Sequence, residues 1–496
     1  MTSAFISPLR PFHPFHPYQA IHHSISICST KRSISTFRKS VITMGRTVKT
    51  LVIGCGTASG YFAREYLKQR GIAKLDADDL LIIGKEKYAP YERPALSKGF
   101  LFADPPARLP GFHVCVGSGG ERQPPEWYAE HGVELKLGEE VVGLDSQSKT
   151  VTLSNGESIT ASNAIVLATG AKPIVLSKMP GNSLKGVHYL REYDDGLALY
   201  QALKNATGKH VVVIGGGYIG LEVGAAANLM GCKVTLVFPE EHVMPRLFNA
   251  DIAHHYETFY KSKGVDLLNN GRLCKAILDD GHGNVRGILM CKDSVETEVA
   301  CDLVVIGVGA VPNIGLVNGK SEFVMSNGGI QVNEHFETSV AGVYAVGDIA
   351  SFPQKLYGGQ LARLEHVGLA RASASHAAQC ILGKKSAFEY LPFFYSRVFS
   401  LSWQFYGDSR SSDKVVTVGK FDPKLLTFWF RPVDENGSGK LKVIGVFMES
   451  PSNSDVEDMK VIATAMPVFD PKALDGVTNV EEGLKLVVTT ISKASH

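Results

Sequence analysis

Apolar residues along this chain come mostly in short unbroken runs that stop on glycine. "TVKTLVIGCGTASGYFAREYLKQ" (47–69) predicts a strand, a glycine-rich turn and a helix, and "DLLIIGKE" (79–86) the next strand, closing on an acid. "HVVVIGGGYIGLEVGAAANLMGCKVTLVFPE" (210–240) repeats the unit about 160 residues later. "AIVLATGA" (164–171), "DLVVIGVGAVPN" (302–313) and "GVYAVGDIA" (342–350) are continuous apolar runs ending at glycine, the pattern of parallel strands covered on both faces. From about residue 390 the texture changes. "KVVTVGKF", "LLTFWFRP" and "KLKVIGVFME" alternate as antiparallel strands do, with "DENGSG" as a turn, and "NSDVEDMKVIATAM" predicts a capped helix. The fold class is therefore α/β, with two Rossmann-like dinucleotide-binding domains followed by a C-terminal α+β domain.

A length of 496 residues exceeds what one hydrophobic core supports. The net charge of +2 argues against a nucleic-acid partner, and no run of eighteen apolar residues predicts a membrane span. None of the eight cysteines forms C-x-x-C, so neither a disulfide framework nor a zinc or other metal site is expected. The first 47 residues contain no Asp or Glu, eight Ser and six basic residues, the composition of an organelle transit peptide. Plastid and mitochondrion both fit, and Met44 offers a second start that would leave an untargeted form.

In the second unit Gly215, Gly217 and Gly220 form G-x-G-x-x-G between strand and helix. The first glycine permits the tight turn, the second lets backbone approach a pyrophosphate, and the third lets helix and strand pack closely. Glu240 follows Gly220 by twenty residues, the spacing of a ribose-binding carboxylate, which favours NADH over NADPH. Glu241 is an alternative to it, and Arg246 could reach a 2′-phosphate. The first unit has Gly54 and Gly56, but Ser59 stands at the third position and Glu86 closes the next strand 27 residues further on. Two dinucleotide sites call for two dinucleotides, and FAD with a nicotinamide cofactor gives an electron path between them.

These segments resemble the flavoprotein reductases with two dinucleotide-binding domains, the pyridine nucleotide-disulfide oxidoreductase-like family. "VLATG" and "VYAVGD" are similar to its FAD-linked segments, and "YAPYERPALSKGFL" (88–101) resembles the ferredoxin-reductase-like branch. "RLEHVGLARASASHA" (363–377), "YLPFFYSR", "LSWQFYGD" and "MPRLF" resemble the monodehydroascorbate reductases, over essentially all of 47–450. Departures are Ser59 and "GAVPN" (309–313), where relatives often carry Arg before the Pro.

The resemblance divides the chain into a leader (1–47), an FAD-binding domain in two parts (48–180 and 302–385), an NAD(P)-binding domain (181–301) and the C-terminal domain (386–496). It implies FAD contacts at Gly54, Cys55, Gly56, Thr57, Ala58, Glu86, Arg93, Lys98, Val141, Arg191, Asp348, Val367 and Tyr395. On the nicotinamide side it implies Gly215, Gly216, Gly217, Tyr218, Ile219, Gly220, Leu221, Glu222, Glu240, Arg246, Gly309, Glu365 and His366. The implied activity is NADH-dependent reduction of the monodehydroascorbate radical through FAD, with no protein acid, base or nucleophile needed. Arg371, Arg397 and Tyr395 are the implied substrate-binding residues. A planar guanidinium keeps its charge, and Tyr395 shares a strand face with Arg397. The alternative for Arg397 is a structural cation–π pair. The alternatives for the whole chain are a ferredoxin or rubredoxin reductase with a protein acceptor, and a redox-sensing flavoprotein.

Overall fold

The computed structural model describes residues 45–410, 412–419, 424–433 and 439–494. Nearly all of the expected leader, with Met44, lies outside the described residues, as does most of the expected "DENGSG" turn. Arg46 is the exception: it opens the first strand, and its guanidinium donates to Glu134 (2.6 Å) and Asp78 (2.9 Å). It belongs to the folded body and not to the leader in which it was counted.

The first sheet runs in the order β3-β2-β1-β6-β5-β4, with β1 Arg46–Ile53, β2 Leu80–Gly84, β3 Glu134–Leu137, β4 Val141–Asp145, β5 Thr150–Leu153 and β6 Ser158–Leu167. The core strands β3, β2, β1 and β6 are parallel, while β4 and β5 fold back antiparallel. Every residue of β2 is buried, which is why its sequence shows no polar alternation. Helix α1 (Thr57–Arg70) leaves the β1 turn directly and stops at Gly71, whose left-handed backbone bonds the last carbonyls.

The second parallel sheet runs β9-β8-β7-β10 and then a two-residue strand at Val187–His188, with β7 His210–Ile214, β8 Lys233–Val237, β9 Val265–Leu268 and β10 Leu303–Ile306. Helix α2 (Tyr218–Leu229) joins β7 to β8, and α3 (Ala250–Ser262) joins β8 to β9. An antiparallel ribbon over 273–300 is inserted before β10. The chain then returns to the first sheet: β11 (Val343–Ala345) pairs in parallel with β6, and α4 (Val367–Ile381) packs against α1.

The C-terminal sheet is antiparallel, in the order β12-β13-β16-β15-β14, from β12 Phe393–Val398, β13 Leu401–Gly407, β14 Lys414–Val418, β15 Leu426–Pro432 and β16 Leu441–Glu449. Helices α5 (Asn453–Ala465) and α6 (Val480–Ala494) cover one face. The expected cap of α5 is a reciprocal box between Ser452 and Asp455. The other face packs Trp403, Phe405 and Phe447 against the nicotinamide unit, with the Tyr256 and Trp403 rings 4.5 Å apart. That packing fixes the edge strand β12, and the "LPFFYSR" run with it, beside the first domain. No helix among the described residues is long and apolar enough to cross a membrane.

Candidate active site

Three segments distant in sequence enclose one cavity of about 850 Å³: the β1–α1 turn, the 93–98 segment, and the start of α4 with Tyr395 of β12. Gly54 forms the sharpest part of the turn. Its φ is +108°, and a Cβ there would stand 2.3 Å from the Ala168 carbonyl oxygen. Ser59 takes the place of the third glycine without blocking the turn, because its hydroxyl donates to the Gly54 carbonyl (2.5 Å). In the second unit the corresponding Gly220 has no such option: a Cβ would lie 2.1 Å from the Gly215 carbonyl oxygen.

Cys55, Thr57, Ala58, Glu86, Arg93, Lys98, Val141, Arg191, Asp348 and Val367 all line this cavity. Glu86 pairs with Arg93 and accepts from the Tyr91 hydroxyl (2.6 Å). Arg93 also donates to the Arg191 carbonyl (2.9 Å), and Arg191 pairs with Asp348 at 3.0 Å. The cavity therefore combines a glycine turn suited to phosphate with two carboxylates, each just past the C-terminal end of a strand of the same parallel sheet, and the donor set fits FAD. When bound, FAD supplies the ability to take two electrons at once and release them singly. Glu86 would hold the adenosine ribose, the Gly54–Ala58 turn the pyrophosphate, and Asp348 the ribityl chain.

At the inner end, the Lys98 ammonium lies 2.9 Å from the Glu222 carboxylate and 5.2 Å from the Tyr395 ring centre. Glu222 is fully buried and also accepts from Ser97 and from the Ser396 hydroxyl (2.6 Å). Glu222 thus ties Lys98 and both serines together at the start of α2, and Leu221 beside it is buried in the core.

His366 caps the N-terminus of α4, where its Nδ1 accepts from the Gly368 N–H (3.2 Å). Burial, then the Lys98 and Arg371 charges, push its pKa down to about 3, so the ring is neutral at ordinary pH. Its edges meet the Phe393 and Tyr395 rings. Glu365, His366, Tyr218 and Ile219 line the same cavity, which places the start of α2 beside the flavin end.

Arg371, one turn into α4, does not line the cavity. It pairs with Glu92 at 2.8 Å and donates to the Gly117 carbonyl (3.2 Å), while its Nε has no hydrogen-bond partner among the described residues. The Tyr61 hydroxyl donates to the other Glu92 oxygen (2.8 Å). Arg397 is exposed on β12 and also stands outside the cavity lining; no hydrogen bond or ion pair engages its side chain among the described residues. No ring holds it either, so the alternative of a structural cation–π pair finds no partner there. Tyr395 joins the two arginines to the cavity. Burial pushes its hydroxyl up to about 12, against the pull of Arg371 and, more weakly, of Arg397.

Of the residues read as nicotinamide contacts, Tyr218, Ile219, Glu365 and His366 line this cavity, while Gly215, Gly217, Glu240, Arg246 and Gly309 do not. Gly217, the N-cap of α2, faces open space, whereas a Cβ on Gly216 would stand 2.7 Å from the Phe238 ring. Gly309 has φ +112° after β10. Glu240 and Arg246 are both exposed, with side chains free of hydrogen bonds among the described residues. The sequence reading missed Glu92, Ser97 and Ser396, which hold Arg371 and Glu222. Only Glu92 left a signal, as the acid in "YERP".

None of the seven described cysteines forms a disulfide with another described one, and burial raises the Cys55 and Cys115 thiols, the latter to about 11.

Family comparison matches residues 48–377 to the pyridine nucleotide-disulphide oxidoreductases and 391–485 to the C-terminal domain of monodehydroascorbate reductase 3-like proteins. A monodehydroascorbate reductase of Solanum lycopersicum is 43% identical over 451 residues, covering 88% of this chain and 98% of its own. The chloroplastic monodehydroascorbate reductase 5 of Oryza sativa is 39% identical over 469 residues, covering 90% and 88%. Among solved structures, putidaredoxin reductase in its covalent complex with putidaredoxin superposes with a TM-score of 0.77 at 25% identity, covering 90% of this chain and 99% of that one. A ferredoxin reductase of Rhodopseudomonas palustris gives 0.74 at 27%, covering 89% and 100%.

Proposed function

The chain belongs to the monodehydroascorbate reductases within the pyridine nucleotide-disulphide oxidoreductase family, and from that premise we propose that it uses NADH to reduce the monodehydroascorbate radical to ascorbate. The observation that carries the substrate is Tyr395: it lines the cofactor cavity while its hydroxyl lies within electrostatic reach of both Arg371 and Arg397. A small anion at that edge meets a flat aromatic wall, one cation braced by Glu92 and one exposed cation. Arg371 stands behind Tyr395, outside the cavity lining, so it acts on such a ligand through its charge.

Each residue has a task that does not require it to exchange protons with substrate. Lys98, fixed by Glu222, keeps a positive charge at the inner end of the cavity. Neutral His366 closes that end without adding charge, and with Phe393 and Tyr395 it excludes water. Arg371 and Arg397 attract and orient the anion. Glu240 accepts from ribose hydroxyls and repels a 2′-phosphate, which favours NADH; Arg246 nearby moderates that preference. No disulfide joins the described cysteines, and burial raises the Cys55 thiol beside the cavity, which disfavours thiol chemistry there.

The test follows NADH absorbance with the FAD-loaded protein while ascorbate and ascorbate oxidase generate the radical. NADH loss that requires both enzyme and radical supports the reading. A flat trace, with NADH still bleaching the flavin, moves the acceptor to a protein partner of the ferredoxin or rubredoxin type. The acid-free first 47 residues are proposed as an organelle address. Fluorescent fusions starting at Met1 and at Met44 test it: organellar signal from the first and cytosolic signal from the second are expected.

A further inference from the structure

His335, His376 and Cys380 bring one donor atom each to within 4.8 Å of one another. His376 and Cys380 lie four residues apart on α4, so they share one helix face. His335 comes from the turn before β11 and completes the group. The Cys380 Sγ is 3.8 Å from the His335 Nδ1. Tetrahedral zinc with bonds of about 2.0–2.3 Å sets its ligands about 3.3–3.7 Å apart, so the Cys380–His335 pair already has nearly the right spacing and the wider separations close by rotamer shifts of up to about 1.5 Å. His376 is 9% and Cys380 2% exposed, burial typical of a closed metal site, while His335 stands at the part-exposed rim.

The surroundings supply the outer partners that such ligands use. The Glu334 carboxylate is 3.7 Å from the His335 Nε2, and the Glu334 carbonyl accepts from the His376 Nε2 at 3.1 Å. The Ser386 carbonyl lies 3.0 Å from the His335 Nδ1. Glu334 stands at the Nε2 of both rings, as the outer partner does in carboxylate–histidine–metal relays, whereas the Ser386 carbonyl shares the Nδ1 side with Cys380 and is placed to fill a fourth position. The rings of Phe336 and Phe388 wall the group off from solvent on the His376 side.

We propose that His335, His376 and Cys380 form a binding site for a single Zn²⁺ ion, with a fourth position left to water or to a carbonyl. Two imidazoles and one thiolate suit zinc, whereas magnesium and calcium need oxygen donors. The site ties the C-terminal half of α4 to the segments around 335 and 386. The first half of the same helix carries His366 and Arg371. The ion is thus a brace for the helix that serves the cavity, and it takes no part in electron transfer.

The probes are Zn²⁺ and Co²⁺, added separately to the FAD-loaded full-length protein after chelation and gel filtration. One equivalent of Co²⁺ should give d–d bands at wavelengths beyond the flavin absorption, with intensity typical of tetrahedral thiolate coordination. Zn²⁺ should bleach those bands and raise the unfolding temperature. Loss of outer partners alone lowers metal affinity by about 10–100-fold, so Cys380→Ala should lower it by at least about 100-fold while NADH reduction of the flavin continues. His335→Gln, at a part-exposed position, gives the same reading if Cys380→Ala folds poorly. Absence of the bands in the unmodified protein overturns the proposal, as does their survival in either variant.

Discussion

The Lys98 ammonium and the Glu222 carboxylate, from two different domains, meet at 2.9 Å in a site where Glu222 has no exposed surface. Removing one partner of such a pair leaves the other buried without compensation, at a cost of about 3–5 kcal/mol. Glu222→Ala should therefore lower stability by that order and release flavin on heating. The double variant Lys98→Met with Glu222→Met should recover much of the stability but reduce flavin slowly with NADH. Thermal melts followed by flavin fluorescence, with stopped-flow bleaching, separate the two effects.

Arg397→Ala removes a side chain with no hydrogen bond or ion pair among the described residues. Its effect on stability should stay within about 0.5 kcal/mol. KM for the radical should rise about tenfold, in line with one charge-assisted contact, with the NADH half-reaction unchanged. Unaltered KM would remove Arg397 from the substrate site.

Arg371→Ala should be costly in both respects, because Glu92 is then left buried and unpaired. Adding Glu92→Gln should restore part of the melting temperature but none of the affinity for the radical. Recovery of both would mean that Arg371 acts only as a brace.

Burial holds the His366 pKa at about 3, below the ordinary value of 6.5. Between those two values the unfolded chain binds a proton that the folded one does not. Stability must then fall as pH drops through that window, by up to about 1.4 kcal/mol per pH unit from this residue. His366→Asn keeps a helix cap and removes the titration, so its stability curve should be flatter from pH 6.5 down to 4. Urea melts across that range measure the difference.

Glu240→Ala removes the exposed carboxylate placed to repel a 2′-phosphate. The ratio of kcat/KM for NADPH over NADH should rise at least about tenfold, equivalent to about 1.4 kcal/mol. Arg246→Ala in the same background should reduce that gain, and a ratio unmoved by either change would place the discrimination elsewhere.

The parts of this molecule that read directly from the sequence are those governed by backbone sterics and by repetition. Gly54 and Gly215 mark turns that only glycine can make, and the fully buried β2 and the β7 run Val211–Ile214 show as apolar runs. Ser59 was legible only as a departure, because its hydroxyl bond to the Gly54 carbonyl is a matter of a few tenths of an ångström. Glu222 was legible as an acid just inside a nucleotide-binding helix, but not as the buried partner of Lys98. Its partners Lys98 and Ser396 lie 124 and 174 residues away, and no local pattern records that. His335 escaped for the same reason: spacing tests on cysteine find metal ligands that are near in sequence, while here one donor arrives from another segment.

The pairing of β11 with β6 also governs the order in which the chain can fold. The second sheet takes its β7, β8, β9 and β10 strands from residues 210–306, whereas the first waits for a strand that begins at Val343. During synthesis, the edge of β6 stays unpaired until well after the nicotinamide unit has left the ribosome. Open strand edges recruit other chains. An arrested nascent chain ending near residue 335 should therefore hold a protease-resistant second unit and a first unit that chaperones still cover. One ending past β11 should release them.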